Sequence, residues 1–258
     1  MGGPDFEEMK RRPPCAERDT TIWRYISVPA FLNLMEDSCL MFHQFIRLRD
    51  NDKREGMVPN DFWDSMPEDK SLRENAEENL SKLLFFTYAN CWNMDERENA
   101  LMWKAYAPGG VAIQTTVGKL MDAKLARVMS TDSKGNGWPK IEQCTIEYAD
   151  SWAELKEKGY RHNDIPLNFL FLHLKRKAFR GEAEVRFRIQ SPENFPVQAN
   201  GSFITPKPED APHWCPVTFK TLDWIDQVVT APSTSEWATK PIQRAAEKKR
   251  VRFSASGI

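Results

Sequence analysis

The chain has 258 residues, 41% of them hydrophobic, with 36 basic against 37 acidic side chains and a formal charge of -1. This is enough for a full core in one domain, and the balanced charge excludes a global footprint for nucleic acid or an anionic membrane. Five scattered cysteines without a C-x-x-C pair argue against a disulfide scaffold or a thiolate zinc site, and point to a reducing, cytoplasmic setting.

Residues 1–20 are charged and proline-bearing and read as a mobile arm, leaving 21–258 as the folded domain. "TIWRYIS" has the alternation of a strand. Ser27 is placed to cap a helix over "VPAFLNLMED", with Pro29 in its first turn and Phe31, Leu32 and Met35 at helical spacing. "CLMFHQFI" reads as a second strand. The polar stretch from Arg49 to Asp69 is long enough for a lid or binding loop, and "KSLRENAEENLSKL" reads as a surface helix.

"LLFFTYANCW" is apolar on both alternating faces, as a central strand is. Asp95 and Glu98 form a D-x-x-E capping box, which predicts a helix from Glu96 to Tyr106, ended by Pro108-Gly109-Gly110. "VAIQTTV" predicts a return strand, "KLMDAKLA" a helix, "KGNGWPK" a turn and "IEQCTIEYA" a strand. The most apolar segment, 165–179, predicts a buried helix whose last turn places Lys175, Arg176 and Lys177 at the negative end of its dipole. "EAEVRFRI" alternates strictly, with Ala183, Val185, Phe187 and Ile189 on one face and Glu182, Glu184, Arg186 and Arg188 on the other. Strand "PVTF", helix "TLDWID", strand "QVVTAP", a helix near 235–249 and strand "RVRFS" complete the chain. Elements alternate without the beat of a doubly wound sheet, so the predicted class is α+β: one domain with a mixed or antiparallel central sheet flanked by helices.

Three groups of residues carry candidate chemistry. Asn99, Met102, Trp103 and Tyr106 share one helix face behind Trp92 and Asn93; such aromatics either stack a ring in a pocket or pack as core. The second group is Lys175 and Arg176 near Glu182, Glu184 and Arg186, which reads either as a solvated face with cross-strand ion pairs or as an anion site beside a reacting carboxylate. Arg24 with Tyr25 on the first strand is either an exposed end or a fork turned inward to a phosphate or carboxylate. The histidines show no ligand spacing, so no metal is expected. Cys91, read as sitting just before a helix N-terminus, is either a stabilised thiolate or an inert buried thiol.

These residues give the chain a resemblance to the mainly bacterial domain-of-unknown-function family numbered 2971. It is carried by Trp23-Arg24-Tyr25, Asp52 with Glu55-Gly56, Cys91-Trp92 through Met102-Trp103-Lys104 and Tyr106, Gly110-x-Ala112-Ile113, and Lys175-Arg176 through Phe179, Glu182, Glu184 and Arg186. Asn93 stands where that family often has histidine, and Asn99 where it often has serine. The resemblance implies no reaction; it implies that the blocks belong together.

Element order suggests an ADP-ribosyltransferase-like fold using NAD. A first-strand Arg24 would hold the dinucleotide, and Tyr25, Trp92, Asn93, Trp103 and Tyr106 would frame a small nucleotide-like ligand. Lys175, Arg176 and Arg186 would supply charge, while Glu184 with Glu182 would act at the reacting centre. The alternatives are a non-catalytic module recognising a nucleotide, an RNA end or a protein tail, in phage or stress defence, and nucleophilic chemistry at Cys91.

Overall fold

The computed structural model describes residues 15–50, 52–65, 74, 83–128, 141–160, 172–190 and 212–258. The expected helix at "KSLRENAEENLSKL", the turn "KGNGWPK" and most of the expected apolar helix lie outside the described residues, apart from Glu74, Leu83 and Leu172 onward. Of the expected N-terminal arm, residues 15–20 are hydrogen-bonded to the domain: the carbonyl of Arg18 accepts from the Gly118 amide, and Ala16 exchanges hydrogen bonds with the Gln143 side chain.

The fold is α+β. Strand β1 (Thr21–Ile26) leads into helix α1 (Val28–Asp37), whose Ser27 hydroxyl accepts from the Ala30 amide as a cap should. The buried face of α1 is Phe31, Leu34 and Met35, the i, i+3, i+4 set; Leu32 lies outside that stripe and is exposed. Strand β2 (Cys39–Gln44) runs into a 3-10 turn (Phe45–Asp50), followed by the short helix α2 (Asn60–Asp64). Strand β3 (Thr87–Asn93) starts later than its apolar run, because Leu83 to Phe86 are helical.

Helix α3 (Ala100–Tyr106) departs from the expected boundary. Its cap is Asn99, whose side-chain oxygen accepts from the amides of Leu101 and Met102. Asp95 instead receives the Asn99 side-chain amide, and Glu98 receives the indole N–H of Trp103, so neither carboxylate is free to form the expected box. Strand β4 (Val111–Thr116), helix α4 (Val117–Asp122) and strands β5 (Leu125–Val128), β6 (Glu142–Thr145) and β7 (Glu147–Tyr148) follow. Helix α5 (Trp152–Glu157) is capped by Ser151 and by Asp61, which accepts from the amides of Trp152 and Ala153.

The continuous helix expected over 165–179 is overturned in its described part. Leu174–Lys175 forms strand β8, paired with β7, and Lys177–Glu182 is a 3-10 turn. A helix here would present Lys175 to solvent at its end; the extended backbone delivers it into a buried cluster of carboxylates. Strand β9 (Glu184–Gln190) comes next, then β10 (Trp214–Phe219), β11 (Gln227–Thr230), helix α6 (Glu236–Lys248) and β12 (Arg252–Ala255). "TLDWID" closes as a turn, with the Ile225 amide donating to the Leu222 carbonyl, rather than as a helix.

One mixed sheet organises the domain, in the order β12-β11-β4-β1-β3-β2-β10-β5, with β9 also on β3 and β6 on β9. All its described pairs are antiparallel except β11 with β12. The sheet branches at β3. Strand β9 follows β3 from Thr87 opposite Gln190 to Asn93 opposite Glu184, whereas β1 meets it only at Trp23 opposite Asn93, and β2 only where His43 and Gln44 face Ala89 and Tyr88. Side chains cross the gaps: an Arg24 guanidinium N–H donates to the Cys91 carbonyl, and the Asn90 amide donates to the Met41 carbonyl at 2.7 Å. A sheet that diverges around one strand leaves a wedge, and the candidate site occupies it.

The turn from α3 into β4 depends on Gly110. A Cβ there would lie 2.4 Å from the carbonyl oxygen of Ile26, a backbone atom that cannot step aside without opening the β1–β4 ladder. Gly110→Ala is expected to cost about 3 kcal/mol of stability by overpacking, read as a shifted urea midpoint at unchanged slope.

Candidate functional site

A cleft of about 530 Å³ is lined from five parts of the chain: β1, the β2 end with its 3-10 turn and following loop, β3, α3, and the β8–β9 segment, with His213 and, at the start of β10, Trp214 at its rim. Arg24, Tyr25, Trp92, Tyr106, Lys175, Glu182, Glu184 and Arg186 all contribute to its wall. Asn93, Trp103 and Arg176 do not. Asn93 is buried and donates its amide to the Glu182 carbonyl at 2.7 Å; Trp103 packs edge-on against Tyr25 and donates to Glu98; Arg176 turns to a neighbouring hollow and pairs with Asp52 at 2.6 Å.

The inner end is a charge cluster. The ammonium of Lys175 lies 2.6 Å from Glu182, 3.0 Å from Glu184 and 3.6 Å from Glu55. The guanidinium of Arg186 takes both oxygens of Glu184, lies 2.8 Å from Glu55, donates to the Leu172 carbonyl at 3.1 Å and sits over the Phe45 ring. These side chains are buried, so of the two readings of this β9 face the solvated one is overturned: Arg186 is only 1% exposed. Alternation separates two faces of a strand but does not say that either is wet, and here the Glu55 loop and β8 cover the second one.

Local backbone brings the acids together. Gly56, with φ 66°, closes the tight turn after Glu55, and the Glu55 carbonyl is held by Arg49 at 2.8 Å. Ala183 adopts a left-handed conformation, φ 40°, between the 3-10 turn and β9, which removes it from the expected apolar face. That kink costs an alanine on the order of 1–2 kcal/mol. With it, Glu182 and Glu184 reach the same ammonium although Glu182 lies outside the strand.

Electrostatics follows from this packing. Burial disfavours an ionised Glu184, but Arg186 and Lys175 outweigh it and hold the carboxyl well below the ordinary range. Glu55 is pushed up by burial, against the pull of Arg186. Burial opposes the charge of Lys175, yet Glu184, Glu55 and Glu182 raise it, so it stays protonated. Glu184 is therefore a fixed negative charge and a weak base. Tyr106 donates its hydroxyl to Glu182, and the Tyr25 hydroxyl, pushed up to about 12 by burial, accepts from the Asn99 amide at 2.8 Å.

Arg24 is different. Its only hydrogen bond in the described structure goes to the Cys91 carbonyl, its Nε has no partner, and no carboxylate of the described residues lies within ion-pair distance. Burial lowers its affinity for the proton, opposed by Cys91, Glu184 and Tyr106, so the cation is desolvated and faces the cleft. Cys91 lies inside β3, not before a helix, and burial followed by the charge of Glu184 pushes its thiol far up; an activated thiolate is not formed there. Trp92 is core on most of its surface, 6.3 Å from both Phe187 and Trp224, and its indole N–H has no partner among the described residues.

Site residues that the sequence reading did not single out as candidates are Glu55 and Asp52, quoted only within the resemblance, and His43, Arg47, His213 and Trp214. The loop acids carry no local signal, since burial of a carboxylate is decided by what folds over it. Comparison with protein-family models, with curated proteins and with solved structures gives no match.

Two outcomes test this electrostatic account. Lys175→Met leaves three buried carboxylates against Arg186, and is expected to destabilise by about 3–5 kcal/mol. Adding Glu55→Gln removes one of those charges, so the double variant should melt above Lys175→Met. His173, buried near Arg188 and Arg186, is pushed down to about 3. In the unfolded chain it takes its proton near pH 6.5, as an ordinary histidine does. Its contribution is thus complete above pH 6.5 and lost as pH falls toward 3, by at most about 1.4 kcal/mol per pH unit. Urea titrations between pH 6.5 and 5 should show a slope that His173→Gln flattens.

Proposed function

We propose that the cleft binds a phosphorylated, nucleotide-like molecule and that the protein is an ADP-ribosyltransferase-like enzyme acting on NAD. One observation carries this reading: Arg24 presents a partly buried guanidinium, with no carboxylate of the described residues within ion-pair distance, to the same cleft into which Glu182 and Glu184 project. A partly buried cation without a counter-ion is stabilised when a ligand supplies the anion, and its fork suits a phosphate. The branching of the sheet between β1 and β9 supports the reading too, because it sets the arginine and the glutamates on opposite walls of one wedge.

In this reading the bond between ribose and nicotinamide breaks with its electron pair leaving on the ring nitrogen, and positive charge develops on the ribose. Glu184, held ionised, stabilises that charge without taking a proton. Glu182, bridged by Tyr106 and Lys175, lies beside it to orient a ribose hydroxyl or the incoming water. The resemblance to family 2971 belongs to the same proposal, with support from the meeting of its β1, β3–α3 and β8–β9 blocks at one site.

A second reading is favoured by a specific observation: both oxygens of Glu184 are already engaged by Arg186 and Lys175. A fully compensated carboxylate suits a recognition module that binds the nucleotide and leaves it intact. Incubation of the purified protein with NAD separates the two. Catalysis predicts nicotinamide release that falls about a hundredfold or more in a folded Glu184→Gln variant. Recognition predicts binding without release, surviving Glu184→Gln. Absence of binding at millimolar NAD would remove both.

A further inference from the structure

We infer that the outer end of the cleft, formed by Arg47, His213, His43 and Trp214, is a second subsite that takes the phosphate and base of an adenylate half, leaving the inner end for the reacting half. The inference rests on the nucleotide reading and adds orientation to it.

The four residues are brought together by the β2–β10 ladder. Trp214 lies directly opposite His43, and the Gln44 amide donates to the His213 carbonyl at 2.9 Å, which fixes His213 beside the turn that carries Arg47. The Arg47 guanidinium then meets His213 Nε2 at 2.6 Å. A guanidinium can only donate, so Nε2 is the acceptor in this contact. Arg47 has no carboxylate of the described residues within ion-pair distance. Its remaining N–H groups are therefore a second uncompensated donor fork lining the same cleft as Arg24.

Charge divides along the cleft. At the inner end, Glu55, Glu182 and Glu184 are all ion-paired with Lys175 or Arg186, acids outnumbering bases by one; toward the rim, Arg24, Arg47 and two imidazoles face Asp50 alone among the described carboxylates of the lining that are not ion-paired. A pyrophosphate running from Arg24 to Arg47 fits that distribution. Beside Arg47, the Trp214 indole is 53% exposed and stands at 80° to the His213 ring. A large aromatic surface left in water next to an open cation is the arrangement that stacks a nucleobase while the cation holds its phosphate.

Titration calorimetry on the full chain tests this with NAD, adenosine 5′-monophosphate, adenosine and inorganic phosphate. The monophosphate is expected to bind about tenfold more tightly than adenosine, and Arg47→Ala should abolish that difference. Trp214→Ala should weaken adenosine and the monophosphate by the same factor and leave inorganic phosphate unchanged. Both side chains are exposed, so unchanged melting temperatures are expected and confirm that the variants fold. If both variants bind the monophosphate as the parent does while Arg24→Ala weakens NAD, the outer subsite is overturned and the nucleotide reading stands. If the parent binds none of the nucleotides, both are overturned.

Discussion

The buried ammonium of Lys175 is the interaction on which the rest of the site depends. Three carboxylates, from the loop after β2, the 3-10 turn before β9 and β9 itself, converge on it, and Arg186 supplies a second positive charge. Carboxylates drawn from water this closely would repel one another and protonate if the two cations were absent. Their compensation allows charged residues to occupy the second face of β9, and so lets β9 lie between β3 and β6 with neither face open to solvent. It also explains why the chain abandons helical geometry around Leu174: only an extended backbone, paired with β7, points the side chain inward.

The branching of the sheet at β3 turns that cluster into a site. Had β1 paired with β3 along its whole length, the wedge would be closed and Arg24 would have no hollow to face. Because the ladder stops at Trp23 opposite Asn93, a side chain reaches across to a strand carbonyl, and its guanidinium stands in the cleft with unused donors. The cleft thus has a saturated inner wall and a cation-rich outer one. This asymmetry, more than any single residue, underlies the proposal of a ligand that is anionic at one end and reactive, or merely held, at the other.

Much of this was legible in the residues. The first two strands, the Ser27-capped helix, β4, β9 and the last helix followed from alternation and helical spacing, and Arg24, Tyr106, Lys175, Glu182 and Glu184 stood out as types that do chemistry. Trp103 and Asn93 were drawn into the same set by proximity in sequence, and their roles proved to be packing and backbone support. The Asp95–Glu98 capping signature was misleading for a physical reason: Asn99 takes the helix start and donates its amide to Asp95, while Glu98 accepts from Trp103 and Ser256. Arg47 and His213, separated by 166 positions, share no local pattern at all.

By itself, then, the sequence determined which segments alternate, where α1 begins, and that the domain is α+β, since these depend on neighbours within a few residues. Only tertiary structure decided whether the polar face of β9 is wet or buried, which acids neutralise Lys175, and which arginines remain uncompensated. Those outcomes depend on long-range desolvation and charge pairing, and the free energy of a buried charge is set by partners the local sequence does not name.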